Sequence, residues 1–367
     1  MGLRHRFVQL ATARLHVLII EAPGQLATRI AVERAVTDRG WVLAKTPAEA
    51  DVLLVVGPPE PRLREAADLL YESMPGPRAR VVISMTTEIA HTLDQASRLI
   101  GDGAAQRADA QKRPLEPTAH GDMDHGDTDH GDMDHGDMDM APGGIPLAGG
   151  GEDRDGLEMD ELHLPLGPAL PLWPAGLVLT CTLHGDVVVD ATSEWVGEPA
   201  VDAAASSGQV PSSPLCAASW LDAAARVLTL GGSPTRAAAV RSVRDACLDG
   251  DATTSSRISR ERRRIERSVL LRWSLHRVAT VDDLTGQASP PFAGDAFTRL
   301  VASLDAAAAE LAGQEVLTPE PAVLVDRLPS LVRGCELGEV RLLVAGLAPA
   351  FGPPAGRWAS AHRREAG

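Results

Sequence analysis

The residues best suited to chemistry form a repeat: His120-Gly-Asp-Met-Asp, His125-Gly-Asp-Thr-Asp, His130-Gly-Asp-Met-Asp and His135-Gly-Asp-Met-Asp, closed by Met140. The imidazoles of His120, His125, His130 and His135 suit Ni2+, Cu2+ and Zn2+, and the thioethers of Met123, Met133 and Met138 suit Cu+. Ligation needs neutral rings, so metal binding should weaken below about pH 6. The plainer reading is a solvated acidic linker whose repeat binds nothing. Both readings stay open at this level.

A second concentration of chemistry lies between Arg257 and Arg272, where arginine is the commonest residue and Ile258, Ile265, Val269 and Trp273 are expected on one helical face. A phosphate-rich partner, either nucleic acid or anionic lipid, would suit such a stretch. Glu261 and Glu266 interrupt it, which favours an ordinary solvated face, or one packed on an acidic partner. His184 is expected at an exposed turn. Cys181 is expected as a small buried hydrophobe and His16 as a structural residue. No Ser/His/Asp order and no carboxylate pair stands out as an enzyme site.

The elements that would position these residues fall into two groups. Leu15–Ile20, Trp41–Leu43, Asp51–Val56 and Arg80–Met85 are short apolar runs. They alternate with helical patterns at Gln25–Arg39, Arg62–Met74 (stripe Leu63, Ala66, Leu69, Leu70, Met74) and Thr87–Ile100. Strands apolar throughout, separated by helices, imply a parallel sheet covered on both faces. Ligands of such sheets bind beyond the carboxyl ends of the strands, here Glu21–Gln25, Gly57–Glu60 and Thr86–Glu88. None of these turns carries a glycine-rich phosphate loop, so no nucleotide site is expected.

Residues from about Gly101 to Asp155 read as disordered, being rich in Gly, Asp, Ala and Pro. Beyond them, Leu177–Leu183 and Val187–Asp190 flank a hairpin signal at His184-Gly185-Asp186. Helices are expected at Ala217–Leu230, Arg257–Leu275, Ala296–Leu311 and Leu328–Leu347, the last interrupted at Gly334.

Composition narrows the function classes. The 367 residues are 44% hydrophobic and 23% charged, enough for two ordinary domains. Aromatics are only 3%, too few for stacking platforms on single-stranded nucleic acid. Most of the net charge of −15 belongs to residues 120–140, with eight Asp and no Lys or Arg, and to residues 152–161. Cys181, Cys216, Cys247 and Cys335 are far apart, as in a reduced cytosolic protein. No apolar run reaches a membrane-spanning length, and Met1–Val8 lacks the pattern of a secretory leader.

The first region resembles the small, cluster-bearing subunit shared by NADH:quinone oxidoreductase (complex I) and membrane-bound [NiFe]-hydrogenases. The matching residues are Leu15-His16-Val17-Leu18, Thr46-Pro47-Ala48-Glu49-Ala50-Asp51-Val52-Leu53-Leu54-Val55-Val56-Gly57-Pro58, Leu70-Tyr71-Glu72-Ser73-Met74-Pro75-Gly76-Pro77 and Val82-Ile83-Ser84-Met85, within Leu15–Thr92. The resemblance implies a [4Fe–4S] cluster held by four cysteines. The chain departs from it at every ligand. Two would lie in Glu21–Ala27 and a third at Thr86–Glu88, yet no cysteine precedes Cys181. Leu162–Ala191 more weakly resembles the start of the partner large subunit, through Leu166-Gly167-Pro168-Ala169-Leu170-Pro171, Ala175-Gly176-Leu177 and Gly185–Ala191. There the family's histidine is replaced by Leu170, and its His-Arg-Gly segment is missing after Gly197. Quinone and nickel–iron sites are thus not expected.

Together these readings predict a doubly wound α/β domain over 1–105, a disordered linker over 106–157 and an α+β, mostly helical domain over 158–367. The resemblance implies that the two folded parts pack together, and with its cluster ligands missing the expected function is that of a cluster-free, non-catalytic or accessory subunit of a complex-I-like or hydrogenase-like membrane oxidoreductase. The expected partners are membrane oxidoreductase subunits, with no nucleic acid and no direct insertion into the bilayer. The expected place is the cytoplasm or the inner face of the plasma membrane. Two alternatives remain: an active oxidoreductase subunit whose redox centre sits in another chain, and a metal-handling protein that binds Ni, Cu or Zn through the repeat.

Overall fold

A computed structural model of the chain describes residues 14–113, 149–152, 158–197, 213–282, 291–314 and 316–351. The His/Asp/Met repeat, including His120, His125, His130, His135, Met123, Met133 and Met138, lies outside them.

The first unit is a parallel sheet in the order β2-β1-β3-β4, formed by β1 (His16–Glu21), β2 (Val42–Leu43), β3 (Val52–Val56) and β4 (Ala79–Ile83). Alternation of side chains along the strands divides the apolar residues between two faces. Val17, Val52, Leu54, Val81 and Ile83 meet Val32 and Val36 of α1 (Leu26–Asp38) and Leu93 and Ala96 of α3 (Ile89–Gly101). Leu18, Ile20, Leu53 and Val55 meet Leu63 and Ala67 of α2 (Pro61–Ser73). All five residues of β3 are buried, as a central strand covered on both sides must be. The chain leaves β1 toward β2 on one side and reaches β3 on the other. The order therefore reverses between the carboxyl ends of β1 and β3.

The second unit combines an antiparallel sheet with a helical bundle. The sheet order is β5-β6-β7-β8, from β5 (Gly149–Glu152), β6 (Glu158–Leu166), β7 (Leu177–His184) and β8 (Val187–Trp195). The face of β7 carrying Leu177, Leu179, Cys181 and Leu183 packs into one core with Trp220, Leu221, Ala224 and Leu228 of α5 (Ser213–Leu230). Alanines along α5 let its neighbours approach closely. Against it stand α6 (Pro234–Leu248), α9 (Ala296–Leu311) and α11 (Leu337–Leu347); α7 (Thr254–Glu266) packs on α6 and α9, with α8 (Val269–Leu275) and α10 (Pro321–Val332) at the margins. Trp195 stacks on Phe351 with ring centroids 5.3 Å apart.

Three expectations are corrected. The segment read as disordered from Gly101 holds a helix, α4 (Gly103–Lys112): the Asp102 carboxylate accepts the Ala104 and Ala105 N–H groups and caps it. The single helix expected over Arg257–Leu275 is two. Its chain turns at Arg267 and restarts where the Ser268 hydroxyl caps α8. The restart rotates the pattern, so Leu271 and Leu275 are buried and Val269 and Trp273 face solvent. On α2 the expected stripe holds at Leu63, Leu70 and Met74, but Leu69 is exposed and Ala67 is buried in place of Ala66. Three further elements, β5, β6 and α6, have no counterpart in the sequence analysis, and β5 falls within the stretch expected to be disordered.

Candidate functional site

The two units meet along a seam at the carboxyl end of β1, and the seam carries a compact ionic network. Glu21 closes β1, while Arg29 and Glu33 stand one turn apart on α1. Asp222 and Arg226 stand one turn apart on α5, and Arg244 comes from α6. Arg29 is the hub. Its Nε donates to Glu21 at 2.7 Å, Nη2 to Asp222 at 2.6 Å and Nη1 to Glu33. Arg244 Nη1 is shared between Asp222 at 2.6 Å and Glu33 at 2.8 Å. Arg226 donates from Nε to Asp222 at 2.9 Å and from Nη1 to the Trp173 carbonyl at 2.9 Å. Asp245 holds the remaining arm of Arg244 at 3.0 Å.

Every member of this set is buried or nearly so, and burial acts differently on each. Burial opposes ionisation of Asp222, but Arg29, Arg226 and Arg244 outweigh it and hold the carboxyl well below the usual carboxylate range. Burial likewise opposes Glu33, and Arg29 with Arg244 brings it below its ordinary value. At Glu21 burial prevails: it raises the carboxyl, and Arg29 and Arg226 offset only part of the rise. Glu21 is thus a weak acid, as is Asp245 at the edge of the group, which burial also raises against the pull of Arg244.

Beside the network lies a cavity of about 180 Å³ between the units. Its charged wall is the network itself, with Lys45 and Arg241 added. Its apolar wall is Ile19, Leu43 and the segment Pro168–Trp173. That segment is anchored by Trp173, whose ring N–H donates to the Leu177 carbonyl at 2.8 Å. Leu172 adopts a φ of 63°, a left-handed conformation costly for its side chain, at the cavity wall.

The crevice between the ends of β1 and β3, where an open parallel sheet takes its ligands, is filled by protein. Pro23 sits against Gly176 and Gly197 of the second unit. At Gly176, with φ at +88°, a Cβ would lie 2.9 Å from Pro23 and 2.8 Å from the Val196 carbonyl, so only glycine permits the approach. Arg62 reaches Glu194 at 2.6 Å nearby, and Arg34 binds Asp249 in a two-armed pair at 2.7 and 2.9 Å.

These residues do not fit an iron–sulfur cluster. The loops present Ala22, Pro23 and Gln25 after β1, Gly57 and Pro58 after β3, and Thr86–Glu88 after β4. None offers a thiolate, and Gln25 and Ala22 of the first loop pack directly against Gly57 of the second. The thiols lie elsewhere in the second unit. Burial pushes Cys181 and Cys247 up to about 11, as inert core residues. Among the described residues no cluster of His, Cys, Asp and Glu is placed to hold a metal ion.

The residues singled out from sequence are not brought together here. His16 hydrogen-bonds Asp51 at the amino end of β1, remote from the crevice end, and His184 sits 3.9 Å from Glu161 at the far hairpin. Cys181 is fully buried in β7, as expected. The network itself was not anticipated. Its one visible sign is Asp222 and Arg226, a charged pair four residues apart inside an otherwise apolar, alanine-rich helix. No family model, no curated protein and no solved structure matches the chain.

Proposed function

We propose that this chain is a cluster-free accessory subunit of a complex-I-like or hydrogenase-like membrane oxidoreductase, in which a small-subunit-like and a large-subunit-like part are joined in one polypeptide. The observation that carries the reading is the seam. A parallel-sheet unit and a helical unit are held together across the crevice end of the sheet by Arg29, Glu33, Asp222 and Arg244, with Pro23 seated against Gly176. A paired unit closed by protein in this way serves as a rigid shape for other subunits to assemble on, not as a station for electrons. The resemblance of Leu15–Thr92 and Leu162–Ala191 to the two subunits supplies the identity of the assembly.

The test is native extraction of the tagged full chain in mild detergent, followed by a native gel, subunit identification and iron and acid-labile sulfide analysis. Co-migration with membrane oxidoreductase subunits is expected, with the chain itself free of iron and sulfide once separated from them. A chain that runs alone at every salt concentration overturns the assembly reading. Stoichiometric iron and sulfide on the isolated chain overturns the cluster-free reading.

A further inference from the structure

We propose that α7 and α8 form a docking surface for an anionic phospholipid bilayer, with Trp273, Leu270 and Val269 entering the headgroup layer and arginines binding lipid phosphates. The apolar part is unusual for a soluble surface. On α8, Leu271 and Leu275 pack inward while Val269, Leu270 and Trp273 stand 80%, 71% and 80% exposed on the opposite side. Three large apolar side chains within five residues leave a contiguous patch that water solvates poorly. A tryptophan beside aliphatic side chains suits the boundary between headgroups and acyl chains.

The charge around the patch selects the kind of partner. On α7, Ile258, Glu261 and Ile265 face the core, and Arg260, Arg263 and Arg267 fall on the opposite side. Only Arg267 and Ser268 separate the end of α7 from α8. Among the described residues, the side chains of Arg260, Arg263, Arg267 and Arg277 meet no carboxylate, and Arg272 lies over the Phe297 ring instead. The nearby acids are already engaged: Glu261 by Arg264 and Arg236, Glu266 and Asp305 by Arg262, and Asp295 by His276. Among the described residues, a chain of net charge −15 thus presents an exposed arginine face with no carboxylate opposite it. Anionic headgroups attract adjacent cations, which suits a collar of arginines around an apolar tip. No described helix is long and apolar enough to cross a membrane, so the contact is interfacial. The surface chemistry carries this inference independently of the assembly reading.

The experiment is flotation of the purified full chain with vesicles of phosphatidylcholine alone and of phosphatidylcholine with about one third phosphatidylglycerol. Binding to the second and not the first is expected, weakening as salt rises. Trp273→Ser with Leu270→Ser, and separately Arg263→Glu with Arg267→Glu, should each lower binding at least about tenfold, with far-UV circular dichroism and melting unchanged. Brominated lipids should quench the parent's tryptophan fluorescence and leave the Trp273→Ser chain unquenched. Failure to float with anionic vesicles overturns the proposal. So does binding that survives loss of Trp273 and Leu270, which would mark a purely electrostatic surface such as one for nucleic acid. Binding that emerges only after deletion of residues 120–140 overturns it too, because the chain's own acidic segment would then be the occupant.

Discussion

Two sets of arginines in this molecule share a residue type and little else. At the seam, Arg29, Arg226 and Arg244 are buried and interlocked with Glu21, Glu33 and Asp222. On α7 and at the ends of α7 and α8, Arg260, Arg263, Arg267 and Arg277 are exposed, and among the described residues their side chains meet no carboxylate. A guanidinium can bridge several carboxylates at once through its planar fork, which makes the seam specific in register. The same fork left open in water is available to an external anion. Desolvation separates the two: at the seam every charge must be answered from within the chain, while on the surface water answers it.

Removing an acid from the seam should produce the largest effect. Asp222→Ala leaves Arg29, Arg226 and Arg244 facing one another in a buried site, with an expected cost of about 3–5 kcal/mol in urea unfolding. A cost below about 1 kcal/mol would mean that water reaches the seam and that the contrast with the surface is false. The pH dependence has a definite sign. Asp222 and Glu33 are depressed in the folded chain, so their contribution is present above the unfolded value near pH 4 and is lost as the pH falls through the folded values. Asp222→Asn should therefore flatten the acid side of a stability profile. Glu21 runs the other way. Its raised value means a contribution present at low pH and lost as the pH rises through the folded value.

Arg299 of α9 sharpens the comparison from the opposite direction. It is fully buried like the seam arginines, but among the described residues its Nε and Nη2 have no hydrogen-bond partner, and burial pushes it down to about 10 despite Asp295. Arg299→Met should stabilise the chain by about 1–3 kcal/mol, read as a rise in melting temperature. A fall would show that the bond from Nη1 to the Gly294 carbonyl outweighs the burial of the charge.

Smaller effects grade the rest. Glu21→Gln removes the weak acid but keeps an acceptor for Arg29, and should shift stability by less than about 1 kcal/mol at neutral pH. A loss equal to that of Asp222→Asn would make the two carboxylates equivalent. Arg267→Ala on the exposed face should change stability by less than about 0.5 kcal/mol, since among the described residues its side chain has no partner to lose.

The doubly wound unit was legible because its information is local. Apolar runs such as Val52–Val56, helical stripes between them and breaks at Gly57-Pro58 each report on their own stretch of chain. The hairpin at Gly185-Asp186 and the helix at Ala296–Leu311 were legible for the same reason. The break at Ser268 was not, because a serine cap competes with a continuing helix through a difference of about 1 kcal/mol, which packing of Leu271 and Leu275 decides. Helix α4 escaped notice because its Ala- and Gln-rich composition resembles that of a polar linker until the Asp102 cap is considered.

By itself, then, the amino-acid sequence determined the two classes of unit, the core strands, the absence of cysteine from the first 180 residues and the acidic character of residues 120–140. Only the tertiary structure decided which charges meet. Glu21 and Asp222 are 201 positions apart, and Arg244 lies a further 22 along. No periodicity links them, because ionic partners across a seam are chosen by the docking of two units and not by spacing along either one. The same docking sets Pro23 against Gly176, and its absence over α8 leaves Trp273 in water.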